Sequence, residues 1–436
     1  MERTIYNHLI KWKLSETRKP LMLYGARQVG KTYILKKFGE NEFESLVYVN
    51  CFRNETATKL FTEDKDIKRI VLGLSAMTGT TIIPGKTLIF LDEIQEIPAA
   101  VSALKYFCED MPDLHVVVAG SLLGVMNIEG ESFPVGKVNI MHLYPMTFGE
   151  FLLAMDKKGL YDVLASHDYA TASSLSASYK EMLRQYYFTG GMPEAVLSFS
   201  KNRDIKEVRN IQNEILTSYM SDISKHAGKE AQRIRMVWQS IPSQLAKENK
   251  KFIFGAVRKG ARAADFEIAI QWLVDAGLVY KVERVRDAKI PLKFYEDPNA
   301  FKLYLVDIGL LGALTMVPPD QILIGDNVFK EYKGAFTENF VIQQLNTIPN
   351  LPVYYYSKDN STLEIDFMVQ AADKVMPVEV KAEENTKAKS LRTFVTSDFK
   401  QYSLTGVRLS MKDYERQSWM VNVPLYCTEF FFSYTW

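Results

Sequence analysis

At 436 residues the chain exceeds the size of one ordinary compact core, so two or three domains are expected. Its composition, 47% hydrophobic and 24% charged, excludes a disordered or fibrous chain. A formal net charge of +1 excludes a global field drawing it to nucleic acid or a membrane, so any basic surface has to be local. Cys51, Cys108 and Cys427 lie far apart with no CxxC pair, and the five histidines are equally scattered. Neither a disulfide scaffold nor a Cys/His zinc site is expected, which fits a reducing compartment. The start, "MERTIYNHLIKWKL", lacks an apolar signal core. The longest apolar stretch, around Val116 to Val125, falls far short of the ~20 residues that span a bilayer. A cytoplasmic protein without a membrane segment is the expectation.

From Lys19 to about Phe151, the apolar runs "LMLYG", "SLVYVNC", "TLIFLDE" and "HVVVAGS" alternate with helical segments. Continuous apolar strands are buried on both faces, which predicts a parallel sheet covered by helices. Residues 152–222 read as helical, broken by "TGGMPEA", with "TASSLSAS" at 171–178 as a polar loop or cap. Two amphipathic patterns follow, through "RIRMVWQSIPSQLA" and "DFEIAIQWLVDAGLV", then "VYKVERV" and "PLKFYED" as a hairpin. Helix, helix and a two-stranded wing is the order of a winged helix-turn-helix. From Phe301 the pattern returns to mixed α/β.

"GARQVGKT", Gly25 to Thr32, fits GxxxxGK[ST] between a predicted strand and a predicted helix. Glycines there let backbone N–H groups of Gly25, Ala26, Arg27, Gln28, Val29 and Gly30 cradle phosphate oxygens, aided by the positive helix end. Lys31 is placed for the β- and γ-phosphates, Thr32 for Mg²⁺, and Tyr33 follows at the nucleotide side. ATP and Mg²⁺ are thus the expected ligands. "TLIFLDEIQ" ends an apolar strand in Asp92-Glu93: Asp92 suits the magnesium shell, Glu93 the polarisation of an attacking water. Two acids capping the next helix is the simpler alternative. Ser121, ending the strand of "HVVVAGSLL", is a candidate for the γ-phosphate or the water, and equally an ordinary cap.

Together these motifs resemble the AAA+ ATPases, and more narrowly the branch near the signal-transducing STAND and origin-recognition ATPases. That resemblance implies that Gly191-Met192-Pro193 in "GGMPEA" is the G-x-P motif of a helical lid, with Pro193 near the adenine. A glycine turn with Pro193 opening a helix fits the residues equally well. No secure arginine finger is evident; Arg184, Arg233 and Arg235 are candidates. An arginine from a neighbouring subunit raises such rates by ~10³–10⁵, so an oligomer or a partner is expected to matter.

Lys247, Lys250, Lys251, Arg258, Lys259 and Arg262 face a single acid, Glu248, a local basic patch for DNA phosphates or for plain solubility. Further on, "TLEIDFMVQ" and "VMPVEVKAE" alternate so that Asp366, Glu379 and Lys381 fall on one face of adjacent strands, after a helix carrying Glu338. A helix with Glu, a strand with Asp and a strand with E-x-K resembles the PD-(D/E)xK nucleases. There, Asp366 and Glu379 would gather metal ions and Lys381 would stabilise developing charge. A structural polar cluster is the alternative.

The layout of phosphate loop, "DEIQ", "GGMPEA", "YLVDIGLL" and "EIDFMVQ…VEVK" is similar to a widespread prokaryotic ATPase family with a C-terminal domain of uncharacterised function. The expected fold class is α/β. Its domains are a P-loop ATPase domain (1–155), a helical lid (156–225), a winged-helix-like domain (226–300) and a PD-(D/E)xK-like domain (301–436). Asp307, in "FKLYLVDIGLL", reads as a cap and is assigned no chemistry. Two functions follow: a DNA-handling ATPase that gates cleavage, or a regulatory ATPase whose C-terminal domain only binds a protein or DNA.

Overall fold

A computed structural model describes every residue except 64–65, 121–133, 248–249, 325–329, 383–386 and 435–436. Ser121 and Glu248 therefore lie outside the described residues. The chain divides into two compact units, Met1–Tyr144 with Asp275–Gly277, and Pro145–Val274 with Leu278–Trp436. Among the described residues no helix is long and apolar enough to cross a membrane.

In the first unit, β1 (Leu21–Tyr24), β2 (Ser45–Asn50), β3 (Thr87–Asp92), β4 (His115–Ala119) and β5 (Asn139–His142) form a sheet ordered β2-β3-β4-β1-β5. Every neighbouring pair is parallel. The three interior strands are buried at every position, whereas the edge strand β5 alternates. This is why the interior strands read as unbroken apolar runs. The helix Lys31–Glu42 turns Ile34, Leu35 and Phe38 inward, and Pro98–Asp110 buries Ala100, Leu104 and Phe107, a helical spacing of three and four. Pro98 opens the second helix, where its missing N–H has no partner to lose.

The second unit begins with helices, among them Phe148–Ala154, Ser176–Thr189, Pro193–Asn202, Ile205–His226 and Ala231–Leu245. It then builds an eight-stranded mixed sheet. Its strands are β6 (Val279–Val285), β7 (Glu296–Leu305), β8 (Val353–Ser357), β9 (Glu364–Ala371), β10 (Lys374–Val380), β11 (Gly406–Ser410), β12 (Glu415–Arg416) and β13 (Met420–Pro424). Their order is β12-β13-β11-β10-β9-β8-β6-β7. The helix Lys330–Leu345 precedes an antiparallel β8–β9–β10 meander. Further helical turns, Lys389–Thr393 and Phe394–Asp398, lead to β11, which is parallel to β10. Ile365, Met368, Tyr356, Phe394 and Leu391 make an apolar core with this sheet.

Four local expectations change. "PLKFYED" is not the second strand of a hairpin: Leu292–Tyr295 is a short 3₁₀ turn, and the partner of β6 begins at Glu296. That partner runs on to Leu305 as one strand, so the expected boundary at 300/301 falls inside it. Because β6 also pairs in parallel with β8, both strands of the expected wing belong to the large sheet. "TASSLSAS" is helical rather than a loop, with Tyr169–Ser174 and Ser176–Thr189 meeting at Leu175. The first of these helices buries Ala172 and the second buries Tyr179.

Asp307 does more than cap. It accepts from Leu310 N at 3.0 Å at the start of the helix Ile308–Leu314, from Gly191 N at 2.6 Å and from Gln343 Nε2 at 3.0 Å. Gly190 sits at φ +71°, and a Cβ there would lie 2.1 Å from Asp307 Oδ1. "TGGMPEA", "YLVDIGLL" and the helix Lys330–Leu345 are thus locked by one fully buried carboxylate. Burial raises that carboxyl above its ordinary range, against the hydrogen bonds it receives.

Candidate nucleotide site and a buried acid cluster

The chain leaves β1 at Tyr24 and enters the loop through Gly25, at φ +156°. Leu143 N donates to Tyr24 O at 2.7 Å, bringing β5's exit so near that a Cβ on Gly25 would lie 2.1 Å from Leu143 O. No other residue fits there. Gln28 (φ +65°) and Gly30 (φ +95°) are left-handed, the kind of turn that makes an anion-binding concavity ahead of a helix. Ala26 and Val29 are buried and hold the loop down, while Arg27, Gln28 and Tyr33 are exposed. Arg3 Nη1 reinforces the loop by donating to Val29 O at 3.0 Å.

Lys31 Nζ donates to Gly25 O and Ala26 O, each at 2.9 Å. Desolvation lowers this ammonium to about 8, against the pull of Glu93 and Asp92. Thr32 Oγ1 donates to Asp92 Oδ2 at 2.8 Å, although the two are sixty residues apart in sequence. Tyr48, on β2, donates its hydroxyl to the same oxygen at 3.2 Å and carries Lys36 Nζ 3.6 Å above its ring. Burial raises the Asp92 carboxyl, and burial with Asp92 nearby pushes Tyr48 up to about 12. Sequence reasoning missed Tyr48 because a tyrosine inside a strand carries no motif; the parallel pairing of β2 with β3 brings it here.

Glu93 leaves the strand with a left-handed backbone, φ +50°, and its Oε2 accepts from Gln95 Nε2 at 2.6 Å. Gln95 Oε1 is buried with no hydrogen-bond partner, and a Cβ on Gly120 would lie 2.4 Å from it. So the "DEIQ" glutamine holds the glutamate that sequence reasoning singled out. Pro193 opens the helix Pro193–Asn202 in the second unit. Of the candidate arginines, Arg184 is exposed, Arg233 pairs with Glu230 at 2.7 Å, and Arg235 donates to Ser224 Oγ.

The second cluster lies within the second unit, on the sheet face away from the Ile365 core. Glu338 comes from the helix Lys330–Leu345, Asp366 from β9 and Glu379 from β10, with Lys381 just beyond. Glu338 and Asp366 are near enough to shift each other's ionisation, and Lys381 is influenced by Glu379, Asp366 and Glu338. The four residues therefore do converge. They do not converge as a set of metal ligands: among the described residues no group of three or more His, Cys, Asp or Glu is placed to hold a metal ion.

Cations that the sequence motif does not contain sit on these acids. Glu338 Oε1 accepts from Lys250 Nζ, and its Oε2 accepts from Tyr304 Oη at 2.9 Å with Lys302 Nζ at 4.0 Å. Lys302, fully buried on β7, pairs with Glu364 and lies 4.8 Å from the Tyr355 ring centre. Asp366 Oδ2 accepts from Val380 N at 2.7 Å, and Glu379 Oε1 pairs with Lys381 Nζ at 2.8 Å. Burial opposes ionisation of Glu338, yet Lys250 and Lys302 hold it below the usual carboxylate range. Burial and then the Glu338 carboxylate push Asp366 up to about 7. The expected basic patch is correspondingly smaller: Lys250 turns inward, while Arg258, Lys259 and Arg262 remain exposed.

Comparison with known families matches residues 17–152 to an AAA domain, residues 180–321 to a domain of unknown function (DUF8612) and residues 333–428 to another (DUF4143). No curated protein matches the chain. Among solved structures, the Walker-type ATPase paby2304 of Pyrococcus abyssi is 13% identical with a TM-score of 0.46, covering 72% of this chain and 95% of that one. The Aeropyrum pernix ORC1 protein in complex with DNA is 15% identical with a TM-score of 0.30, covering 72% and 91%. The Thermotoga maritima RuvB Holliday junction branch migration motor is 17% identical with a TM-score of 0.29, covering 63% and 88%. Likenesses this remote place no activity on this chain. What the family match does give is that residues 17–152, with the phosphate loop and Asp92, form an AAA-type P-loop domain.

Proposed function

We propose that this protein is a magnesium-dependent ATPase of AAA type, in which nucleotide occupancy acts as a switch. The observation that carries the reading is the 2.8 Å contact between Thr32 and Asp92 at the head of the helix that Lys31 opens. Thr32 and Asp92 are the residues that would hold the metal, whose chemistry when bound is to neutralise charge on the β- and γ-phosphates. Lys31 donates to two loop carbonyls, bonds that phosphate oxygens would replace on binding. Glu93 orients water once Gln95 shares or yields its carboxylate. An oligomer or partner supplying an arginine fits this reading, since the candidate Arg233 and Arg235 already have partners.

The test is nucleotide binding by Lys31→Ala. Its dissociation constant for ATP is expected to rise roughly 100-fold, as for loss of a charge-assisted contact to phosphate, ~1.5–3 kcal/mol. Titration with a fluorescent ATP analogue reads this, and unchanged affinity removes the phosphate-loop assignment.

For the C-terminal cluster, Lys250 and Lys302 on the acids favour a binding module over an open nuclease centre. The exposed Arg258, Lys259 and Arg262 support non-specific DNA contact as a second reading. Exchanging all three for serine should then lower the slope of log affinity against log salt by up to about 3 on duplex DNA. An unaltered slope discards DNA contact at this segment.

A further inference from the structure

A loop that aims N–H groups at an anion has to point carbonyls the other way. A carbonyl so turned needs a donor wherever water cannot reach it. Val29 has no exposed surface. Its carbonyl and the N–H of Gly30 belong to one planar trans peptide, so the two point in opposite directions. Whatever holds Val29 O therefore also fixes where Gly30 N–H is aimed. Gln28 at φ +65° and Gly30 at φ +95° flank this peptide with left-handed backbone. With a glycine on one side, little steric resistance keeps the peptide from turning over. Something else has to hold it.

The donor on Val29 O is Arg3. Its Nη1 donates there at 3.0 Å, and its Nη2 donates to Tyr144 O at 2.6 Å. The two acceptors lie 26 and 141 residues away in sequence. One planar guanidinium thus bridges the loop and the exit of β5, a geometry that a single ammonium does not copy. Both ends of the bridge are fixed. Leu143, beside Tyr144, donates its N–H to Tyr24 O at 2.7 Å, and its own carbonyl leaves Gly25 no room for a Cβ. Arg3 stands just ahead of the helix Ile5–Leu14, which buries Ile5, Leu9 and Trp12. That helix is held to the one that follows the loop. The rings of Tyr6 and Phe38 meet edge-on at 5.8 Å, and Tyr6 Oη donates to Glu42 Oε1 at 3.0 Å. All of these residues belong to the first unit.

We propose that Arg3 is a positioning residue for the phosphate loop: by fastening Val29 O to the exit of β5, it sets the Val29–Gly30 peptide so that Gly30 N–H faces the phosphates. The inference rests on reading this loop as the nucleotide site, and it adds to that reading a residue outside the motif. Arg3 acts through the loop backbone rather than on the nucleotide. Charge alone does not suffice, because a lysine reaches one carbonyl and leaves the other without its donor.

The experiment measures the affinity of the full chain for ATP and for inorganic pyrophosphate in the presence of Mg²⁺, by displacement of a fluorescent ATP analogue. Wild type is compared with Arg3→Met, Arg3→Lys and Lys31→Ala. Thermal melting checks that each is folded, and Arg3→Gln replaces Arg3→Met if that variant is not. Pyrophosphate reads the loop alone, since it has neither base nor ribose. Arg3→Met is expected to weaken both ligands by a similar factor, on the order of tenfold, as for one backbone contact to phosphate lost with the peptide's orientation. Arg3→Lys should lose most of the same factor. A purely structural role would lower the melting temperature and leave the affinity of the folded protein unchanged. Wild-type affinity in folded Arg3→Met therefore overturns the inference, as does a loss confined to ATP. Full affinity in Arg3→Lys overturns it too, by making charge rather than the two-armed bridge the cause. In each of these cases, lost binding in Lys31→Ala keeps the phosphate-loop reading intact. Unchanged affinity in Lys31→Ala, or a wild type that binds no nucleotide, overturns that reading and the role of Arg3 with it.

Discussion

The two clusters use the same residue types, carboxylates with lysine, and reach opposite states. At the phosphate loop, Lys31 spends its hydrogen bonds on two backbone carbonyls, and Asp92 accepts from the hydroxyls of Thr32 and Tyr48 and from Glu93 N–H. Among the described residues no ion pair joins Lys31 to Asp92 or Glu93, the arrangement the proposed nucleotide site needs. At the C-terminal cluster, Lys250 and Lys302 sit directly on the acids, so the charges there are paired within the chain. What distinguishes a binding site from an internal ion network is thus the partner of each charge, not the motif that supplies it.

That contrast is sharpened most by Glu93→Gln. If the first cluster is chemically open, the variant should keep ATP binding while phosphate release falls ~10²–10⁴-fold, the usual weight of a general base. Undiminished release in a phosphate-capture assay would take Glu93 out of the mechanism.

In the closed cluster, Lys302→Met should behave differently, as a folding defect. It strands Glu364 and part of Glu338 without their fully buried cation, a loss of about 3–5 kcal/mol by analogy with broken buried pairs. Chemical denaturation should show most of that loss returning when Glu364→Gln is added. A neutral single variant would mean that Lys302 is not what balances these acids.

A third acid gives the control case, a carboxyl that no cation pairs with among the described residues. Glu429 Oε2 accepts from Gly149 N at 3.1 Å; burial, and then nearby Glu150, push its carboxyl up to about 7 from an ordinary 4.5. The native state therefore binds the proton more tightly than the unfolded chain. The stability this contributes is fully present below pH 4.5 and is lost as pH rises through about 7. Its size is roughly 3 kcal/mol at most. Glu429→Gln should flatten this pH dependence in melting curves recorded across that window. An unchanged profile would show that Glu429 ionises freely in the folded protein.

Much of the first unit was legible in the sequence because its signals are local. The runs "LMLYG" and "TLIFLDE" are apolar without interruption, as buried parallel strands have to be, and "GARQVGKT" contains the glycine that the turn after β1 requires. The Glu338, Asp366 and Glu379 set was also legible, from alternation in β9 and β10 and a helix before them. Legible too, in hindsight, was "TFGE", a capping box in which Thr147 and Glu150 satisfy each other's backbone N–H groups. The wing went astray at "PLKFYED" because β-rich composition alone does not say which of two adjacent stretches pairs with β6. Asp307 looked like a cap and is one; that it also receives Gly191 N, from a segment far upstream, is a matter of packing.

The sequence by itself determined where the strands of the first sheet would form and which acids would share a sheet face, since period and turn chemistry act over a few residues. Only the tertiary structure decided what those acids meet. Lys250, Lys302 and Tyr304 reach Glu338 from sequence-distant segments, and Tyr48 reaches Asp92 across two paired strands. Coulomb and hydrogen-bond energies depend on distance in space, and no pattern along a chain encodes the separation of residues that only folding brings together.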